Sequence, residues 1–553
     1  MKVLWKNGGS EQRKAVVFLC VLASLAASPV QAQEAPEPQP ELITLTLREA
    51  IEIALDRNYQ LRNRRLDIDE AEWLVREGYG GAMPHLTASS RYQRNVASPN
   101  PFAGSDAGGF FETLSYLDWL AYNEDARTDE DPGTDPLSLD DFRDRQEEGL
   151  DEAGIVRSAS DNPFAVDNQF SNSLSLTQTL YDGGLFGGIR AAKMYRELTE
   201  AGVAREMQTV VRDTKIAFYA ALFAAEQAEV VRKSVERTSR TVKDAEMRLV
   251  QGVSSKYDKL SAEVELANLE SDLVRAENTR DNTLDRLKLL VGLPTTQPIV
   301  LKGSLQEDAS ANRFRHVSLD AVLGEAMNRR PDLEQAALSI ELNDINRRIE
   351  QAGRLPVLSA FVDVGYLGSV PDNRTRVFNV EGDPFTYDSE TSNFFDSSYW
   401  NSTVAVGLSL KWTIFDGFQT RSRIQRAIID RQRSEIGFEQ LQNQVRLEIE
   451  SARRELFTAD ERMSSQLQNV SRAELNYEYA STRVREGVSS RLEEREASDL
   501  LDESRLNYNR AVYDYLAAQA NFEAAVGTGV SASGDMADTG LTAPEWRQSG
   551  RND

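Results

Sequence analysis

One cysteine and two histidines are all that the 553 residues offer as soft metal ligands or imidazole bases. That supply cannot build an intrachain disulfide framework, a Cys/His metal centre or a Cys–His nucleophile pair. His85 and His316 also fall at non-equivalent places of the duplicated sequence set out below, so they do not form a repeated site. The remaining chemistry belongs to carboxylates. Asp129, Asp131 and Asp135 surround Gly133 in a Ca2+-like cluster, but the spacing departs from an EF-hand loop, and a solvated acidic segment accounts for them. No catalytic residues, metal or cofactor are therefore expected, and the chain is not read as an enzyme. Asp+Glu 88 against Lys+Arg 63, a net charge of -25, argues against nucleic acid as a partner.

The elements that could position these groups begin after a secretory signal at 1–32. Lys2, Lys6, Arg13 and Lys14 precede an apolar run at 15–27 that is too short to span a bilayer, and Val30-Gln31-Ala32 follows as a small-residue cleavage site. Cys20 is expected to leave with it, and the loss of four basic and one acidic residue takes the mature net charge to -28. A Pro-rich linker, 33–43, comes next. No later run reaches the ~20 apolar residues of a membrane helix, which leaves an exported chain that is either soluble or a β-barrel.

Two copies of one unit fill the rest. Thr46-Leu47, Ala54, Arg57, Leu61, Gly81, Pro84 and Leu86 match Ser318-Leu319, Ala326, Arg329, Leu333, Gly353, Pro356 and Leu358 at one constant offset. Further on, Leu174-Ser175-Leu176 and Tyr181-Asp182-Gly183 match Leu408-Ser409-Leu410 and Phe415-Asp416-Gly417, and Gly252-Val253-Ser254-Ser255 returns as Gly487-Val488-Ser489-Ser490. The repeats run 44–294 and 316–529, with a linker at 295–315 and a flexible tail at 530–553. The first carries a long insert.

Within each repeat the hydrophobic period changes twice. Alternating segments lie near 86–95, 170–181, 357–368 and 403–414; in the last, Val404, Val406, Leu408, Leu410, Trp412 and Ile414 share one face while Thr403, Ser409, Lys411 and Thr413 share the other. Period two over about ten residues suits a strand with lipid on one side and a wet lumen on the other. After each Asp-Gly the period becomes helical. Val210, Thr214, Ala217, Ala221, Ala224 and Ala228 step by four and three, as do Val445, Ile449, Ala452, Leu456, Ala459 and Met463. Without a proline before Gly252 or Gly487, each helix can run for about 65 residues, or about 100 Å. The glycines suit a positive-φ stop, and Ser254 or Ser255 and Ser489 or Ser490 can cap the returning helix.

Four strands cannot close a membrane barrel, for which about eight are the minimum. Several chains must contribute. The order of these motifs, including Leu-x-Leu-x-Gln-x-Leu-Tyr-Asp-Gly-Gly at 174–184 and Arg-x-x-x-Gly-Val-Ser at 248–254 and 483–489, resembles the TolC-like outer-membrane efflux proteins over most of 44–529. The resemblance implies a mixed α and β membrane protein with an internal two-fold repeat. A long antiparallel α-helical barrel, a coiled-coil-like tunnel, would join a transmembrane β-barrel made of four strands from each of three chains. It implies a homotrimer in the outer membrane of a Gram-negative bacterium, in contact with outer-membrane lipid and extending into the periplasm. There it would serve as the passive exit duct of a tripartite efflux or type I secretion system, with a periplasmic adaptor (membrane fusion) protein and an inner-membrane pump or secretion ATPase as partners.

By the same resemblance, Arg248, Gly252, Val253 and Ser254 with Arg483, Gly487, Val488 and Ser489 form the adaptor-docking tip. Glu493 and Glu496 match an acidic pore constriction, and Asp258 matches the acid of a gate lock; its basic partner's position holds Ser489 here, so Arg491 stands as the substitute. The insert at 97–168, with 18 Asp/Glu against 4 Lys/Arg, reads as an acidic extracellular loop, and the shorter connection near 369–400 as its counterpart. A drug, a metal ion, a polysaccharide or a protein would all pass such a wall. The rival reading is a secreted coiled-coil scaffold or adhesin with a soluble β cap.

Overall fold

The computed structural model describes residues 42–96, 108–128, 134–155, 166–310, 318–380 and 383–527. The signal at 1–32 with Cys20, the residues Asp129, Asp131 and His316, and the tail at 530–553 lie outside the described residues. In chain order the first half gives β1 (Ile43–Leu45), α1 (Leu47–Arg57), α2 (Tyr59–Gly81), β2 (His85–Arg94), α3 (Gly108–Thr128), α4 (Leu139–Glu152), β3 (Asn168–Tyr181), α5 (Gly183–Val250) and α6 (Lys256–Val291). The segment expected as a linker holds β4 (Ile299–Leu301) and α7 (Leu305–Ser310). The second half gives α8 (Leu319–Arg329), α9 (Pro331–Ala352), β5 (Val357–Val370), β6 (Thr375–Asn379), β7 (Tyr387–Thr391), β8 (Trp400–Lys411), α10 (Gln419–Arg485) and α11 (Arg491–Val526). The long helices have 68 and 67 residues, and the helices returning from them 36 each.

The chain folds as two compact units, and α5, α10 and α11 each pass through both. The unit built from 58–213, 312–465 and 514–553 contains a four-stranded antiparallel sheet in the order β2-β3-β5-β8. Its register puts Leu86, Leu176, Val362 and Val406 in one row, and the rows alternate between an apolar and a polar face. On the polar face the Ser89 and Ser173 hydroxyls bond each other at 2.7 Å and Ser175 donates to Asp363. The apolar face has no cover among the described residues: Val404, Val406 and Leu408 are 74%, 75% and 68% exposed.

The same unit buries Val203, Met207 and Val210 of α5, Val445 and Ile449 of α10, and Tyr515 and Phe522 of α11, among them Val210, Val445 and Ile449 of the helical seam. A guanidinium sits among them. Arg330, 3% exposed, bonds Asp332, Glu448 at 2.9 Å and the Ala525 carbonyl at 2.8 Å, so it ties the start of α9 to α10 and to the C-terminal end of α11. Burial alone would raise the Asp332 carboxyl, but the Arg330 fork and Arg205 outweigh it and hold it below its ordinary value. In the first half the equivalent position is Asn58, a helix cap whose side chain accepts from the Leu61 amide at 3.0 Å.

The insert differs from the expected loop. Within it α3 and α4 form a small aromatic core with the shorter connection, where Phe142 is fully buried and its ring lies 5.5 Å from Tyr122 and 5.2 Å from Phe385. Asn123, also buried, bonds the Leu137 backbone at both its amide and its carbonyl. The acidic composition hid these few apolar residues, which suffice once two connections meet. β6 and β7 form a hairpin in the shorter connection, and β8 begins at Trp400 and stops at Lys411, earlier than its alternation suggests.

The unit built from residues before 58, 214–311 and 466–513 joins β1 and β4 in parallel and buries Leu45, Ile51, Phe218, Leu287, Val291 and Leu305. Four helix ends among the described residues, at Gly154, Gly252, Gly292 and Gly487, share one closing device. Gly252, Gly487 and Gly292 take φ of 73°, 73° and 78°, and the amide after each reaches back to a carbonyl five residues earlier, as Val253 does to Arg248 at 3.0 Å. The surroundings differ. A Cβ at Gly252 or Gly487 would meet nothing within 4 Å, whereas at Gly292 it would lie 2.3 Å from the Arg57 carbonyl oxygen.

Gly252→Ala is therefore expected to cost about 1 kcal/mol, the conformational penalty alone, and Gly292→Ala clearly more, because backbone must move as well. Thermal unfolding of the detergent-solubilised protein separates them, and equal losses would remove the contact with Arg57 as a constraint. Arg330→Ala leaves Asp332 with only Arg205, at 3.7 Å, and frees Glu448 and the buried Ala525 carbonyl; it is expected to cost about 3 kcal/mol, with Arg330→Asn no better, and a neutral Arg330→Asn in chemical denaturation would show that the guanidinium is dispensable.

Candidate functional site

The two hairpin turns present nearly the same surface. Arg248, Gly252 and Val253 are exposed and Ser254 is half-buried, and Arg483, Gly487, Val488 and Ser489 repeat that pattern. Val253 and Val488 are 72% and 71% exposed, so each turn offers a bare apolar side chain beside an arginine. Neither valine is needed for the backbone geometry, which rests on the glycine.

Beneath the turns the two hairpins diverge at one equivalent position, Asp258 in the first and Glu493 in the second. Asp258 caps its own helix: Ser255 accepts from the Asp258 amide at 3.2 Å, while the Asp258 carboxylate accepts from the Ser255 amide and the Ser254 hydroxyl, both at 3.0 Å. Glu493 is one methylene longer and reaches across the hairpin, where its two carboxylate oxygens take the Ser489 hydroxyl and the Arg483 guanidinium. The second hairpin thus ties two docking candidates to one constriction candidate. Glu496 stays exposed and forms no ion pair among the described residues. Arg491 opens α11, but its side chain lies outside the described residues.

Sequence reasoning missed the ion pairs that hold the hairpins below the turns. Lys259 reaches Glu246 across the first at 2.9 Å, and that hydrogen bond raises the ammonium above its ordinary value. Arg495, which stands between the two candidate glutamates, turns instead to Glu265 of α6 at 3.2 Å. Partial burial pushes the Glu265 carboxyl up, and Arg495 opposes the shift. Further from the turn, Arg237 and Ser234 of α5 both donate to Asp502 of α11. Asp502 directly follows the buried Leu501, which was the available signal, whereas Arg495 could not be told from a solvated face.

The sequence profile of the outer membrane efflux protein family matches residues 150–293 and 322–528. The chain is 24% identical over 368 residues to outer membrane protein TolC of Escherichia coli, covering 65% of this chain and 70% of the relative. It is 26% identical over 293 residues to protein CyaE of Bordetella pertussis, covering 53% and 54%. In fold it is similar to the Campylobacter jejuni CmeC outer membrane channel, with a TM-score of 0.62, 15% identity and coverage of 91% of this chain and 92% of that one. The open-state MtrE outer membrane channel of Neisseria gonorrhoeae gives a TM-score of 0.58 at 14% identity, covering 90% and 96%. The paired long helices, the four-stranded sheet with one bare apolar face and the profile match over both halves agree: the chain belongs to the outer membrane efflux protein family and is a protein of the Gram-negative outer membrane.

Proposed function

We infer that three copies close their sheets into one transmembrane β-barrel and their long helices into one tunnel through the periplasm. The assembly is the passive exit duct of a tripartite efflux or type I secretion system, fed by an inner-membrane pump or secretion ATPase through a periplasmic adaptor. The observation that carries this reading is the sheet. Its edge strands β2 and β8 are unpaired on their outer sides, and its apolar face is bare among the described residues. In hydrocarbon every open edge leaves amides and carbonyls unsatisfied, so only closure is tolerated. Two copies would give a barrel of about eight strands, which side chains fill, and three copies give a wider one with room for a lumen. A soluble β cap would need something over Val404, Val406 and Leu408, which favours the duct over a secreted scaffold.

The turns at Gly252 and Gly487 are the proposed docking tip, with Arg248, Val253, Ser254, Arg483, Val488 and Ser489 as contact residues for the adaptor. Glu493 and Glu496 are the proposed constriction. Because Arg483 already neutralises Glu493 within the chain, Glu496 supplies more of the unbalanced charge. Asp258 is retained as an acid of the gate, with helix capping as the role its geometry supports.

Light scattering of the detergent-solubilised protein is expected to give a trimer mass; a stable monomer that still inserts into membranes would overturn the reading. In planar bilayers the pore is expected to favour cations and to be blocked from the tip side by multivalent cations. Glu496→Gln should relieve more of the block than Glu493→Gln, and the double change most of it. Wild-type block in the double variant would move the constriction elsewhere.

A further inference from the structure

The apolar face of the sheet ends in a band of aromatic rings. Tyr92 of β2, Phe170 of β3 and Trp400 of β8 share one row of the register with Gly368 of β5. A Cβ at Gly368 would lie 2.6 Å from the Trp400 ring, so only glycine lets that indole cross β5 and reach Phe170, at 5.4 Å between centroids. Tyr92 stands 4.9 Å from Phe170 on the other side, and Tyr366 stacks on Trp400 at 5.0 Å. The band sits at the end of the strands where the insert and the β6–β7 connection leave, and one row on that face, Ser90, Asn172, Tyr366 and Ser402, separates it from the apolar rows of Val364, Val404 and Val406. Aromatic rings at that level mark the boundary between hydrocarbon and headgroups.

A cavity of about 330 Å3 opens beside this band, walled by Tyr92, Phe170 and Phe394 and bordered by Asn168, Asp372 and Arg374. Its polar groups are not equivalent. Asp372 is engaged, accepting from Arg94 and from the Asn168 amide, each at 2.8 Å, and the Asn168 carbonyl accepts from the Tyr92 hydroxyl at 2.8 Å. The Arg374 backbone is fixed, its carbonyl accepting from the Ser392 amide at 3.0 Å and the Tyr399 hydroxyl at 3.4 Å. Arg374 is half-buried and lines the cavity, and its guanidinium has no carboxylate or hydrogen-bond partner among the described residues. A planar five-donor cation left open in a partly dry place matches the oxygens of a phosphate.

We propose that this cavity binds the phosphorylated headgroup of an outer-leaflet lipid, with Arg374 on the phosphate, the aromatic band beside the headgroup and the acyl chains along the bare apolar face. The aromatic wall of the cavity, with the apolar rows further along the same face, selects a lipid over free phosphate, since a soluble anion would use the arginine and leave the rings uncovered. This inference rests on the membrane-barrel reading above.

The test uses the full-length, detergent-solubilised protein and lipid A carrying both phosphates, with retention measured by native mass spectrometry. Arg374→Gln is expected to weaken retention about tenfold, the loss of one charge-assisted hydrogen bond, and Arg374→Lys to recover much of it. Removing the lipid's phosphates should weaken retention by the wild type to the same degree. Equal retention by wild type and Arg374→Gln would overturn the proposal, and so would displacement of the lipid by millimolar inorganic phosphate, which would make the cavity a simple anion site. Release of the wild-type chain from membranes without detergent would instead sink the barrel reading itself, so the two failures are distinguishable.

Discussion

An open sheet edge cannot stand in hydrocarbon, and most of the architecture follows from that constraint. Each chain supplies four strands in a continuous antiparallel register, with β2 and β8 left as edges. The unpaired groups along those edges outweigh any local preference, because water is absent to satisfy them. On the reading proposed above, closure comes from further copies, and whatever symmetry closes the sheet is imposed on the helices that leave it. Asp182 and Asp416 start the two long helices. Their carboxylates accept from the Gly184 and Thr420 amides in the first turns of α5 and α10, so α5 starts from the end of β3, whereas residues 412–418 separate β8 from α10.

The helices then carry the constraint outward without a break. Neither α5 nor α10 contains a proline, and alanines at 221, 224 and 228 are 0%, 3% and 1% exposed. Small side chains allow close backbone approach over the whole length, which a seam of large residues would not. Several charges below the turns are partnered within a hairpin or between neighbouring helices, as in Arg237 with Asp502 and Arg495 with Glu265. Such pairs add little stability where exposed and more specificity where part-buried, because a slipped register would strand them.

The two halves are equal in plan and unequal in chemistry. Asn58 caps a helix where Arg330 anchors three, and Asp258 caps its helix where Glu493 crosses a hairpin. In both cases the backbone is nearly the same and one longer side chain redirects the polar contacts. The acidic insert extends this asymmetry to the opposite end of the strands, where α3 and α4 of the first half pack on Phe385 of the second.

Periodicity alone determined the long helices and the four strands of the large sheet, since burial on one face writes a period of two or 3.6 into the sequence. It also marked both tip glycines, because a helix reversal of this kind needs a positive φ. Contacts between residues far apart were decided only by the tertiary structure. Nothing in the spacing says that Arg495 pairs with Glu265, that Phe142 is buried under a distant connection, or that Gly368 is open to admit Trp400. Those depend on which rows and faces the fold brings together. The lone guanidinium of Arg374 is the plainest example: in the sequence it is one arginine in a polar connection, and only the register of β2, β3 and β5 sets it against an aromatic wall while giving the neighbouring Asp372 to Arg94.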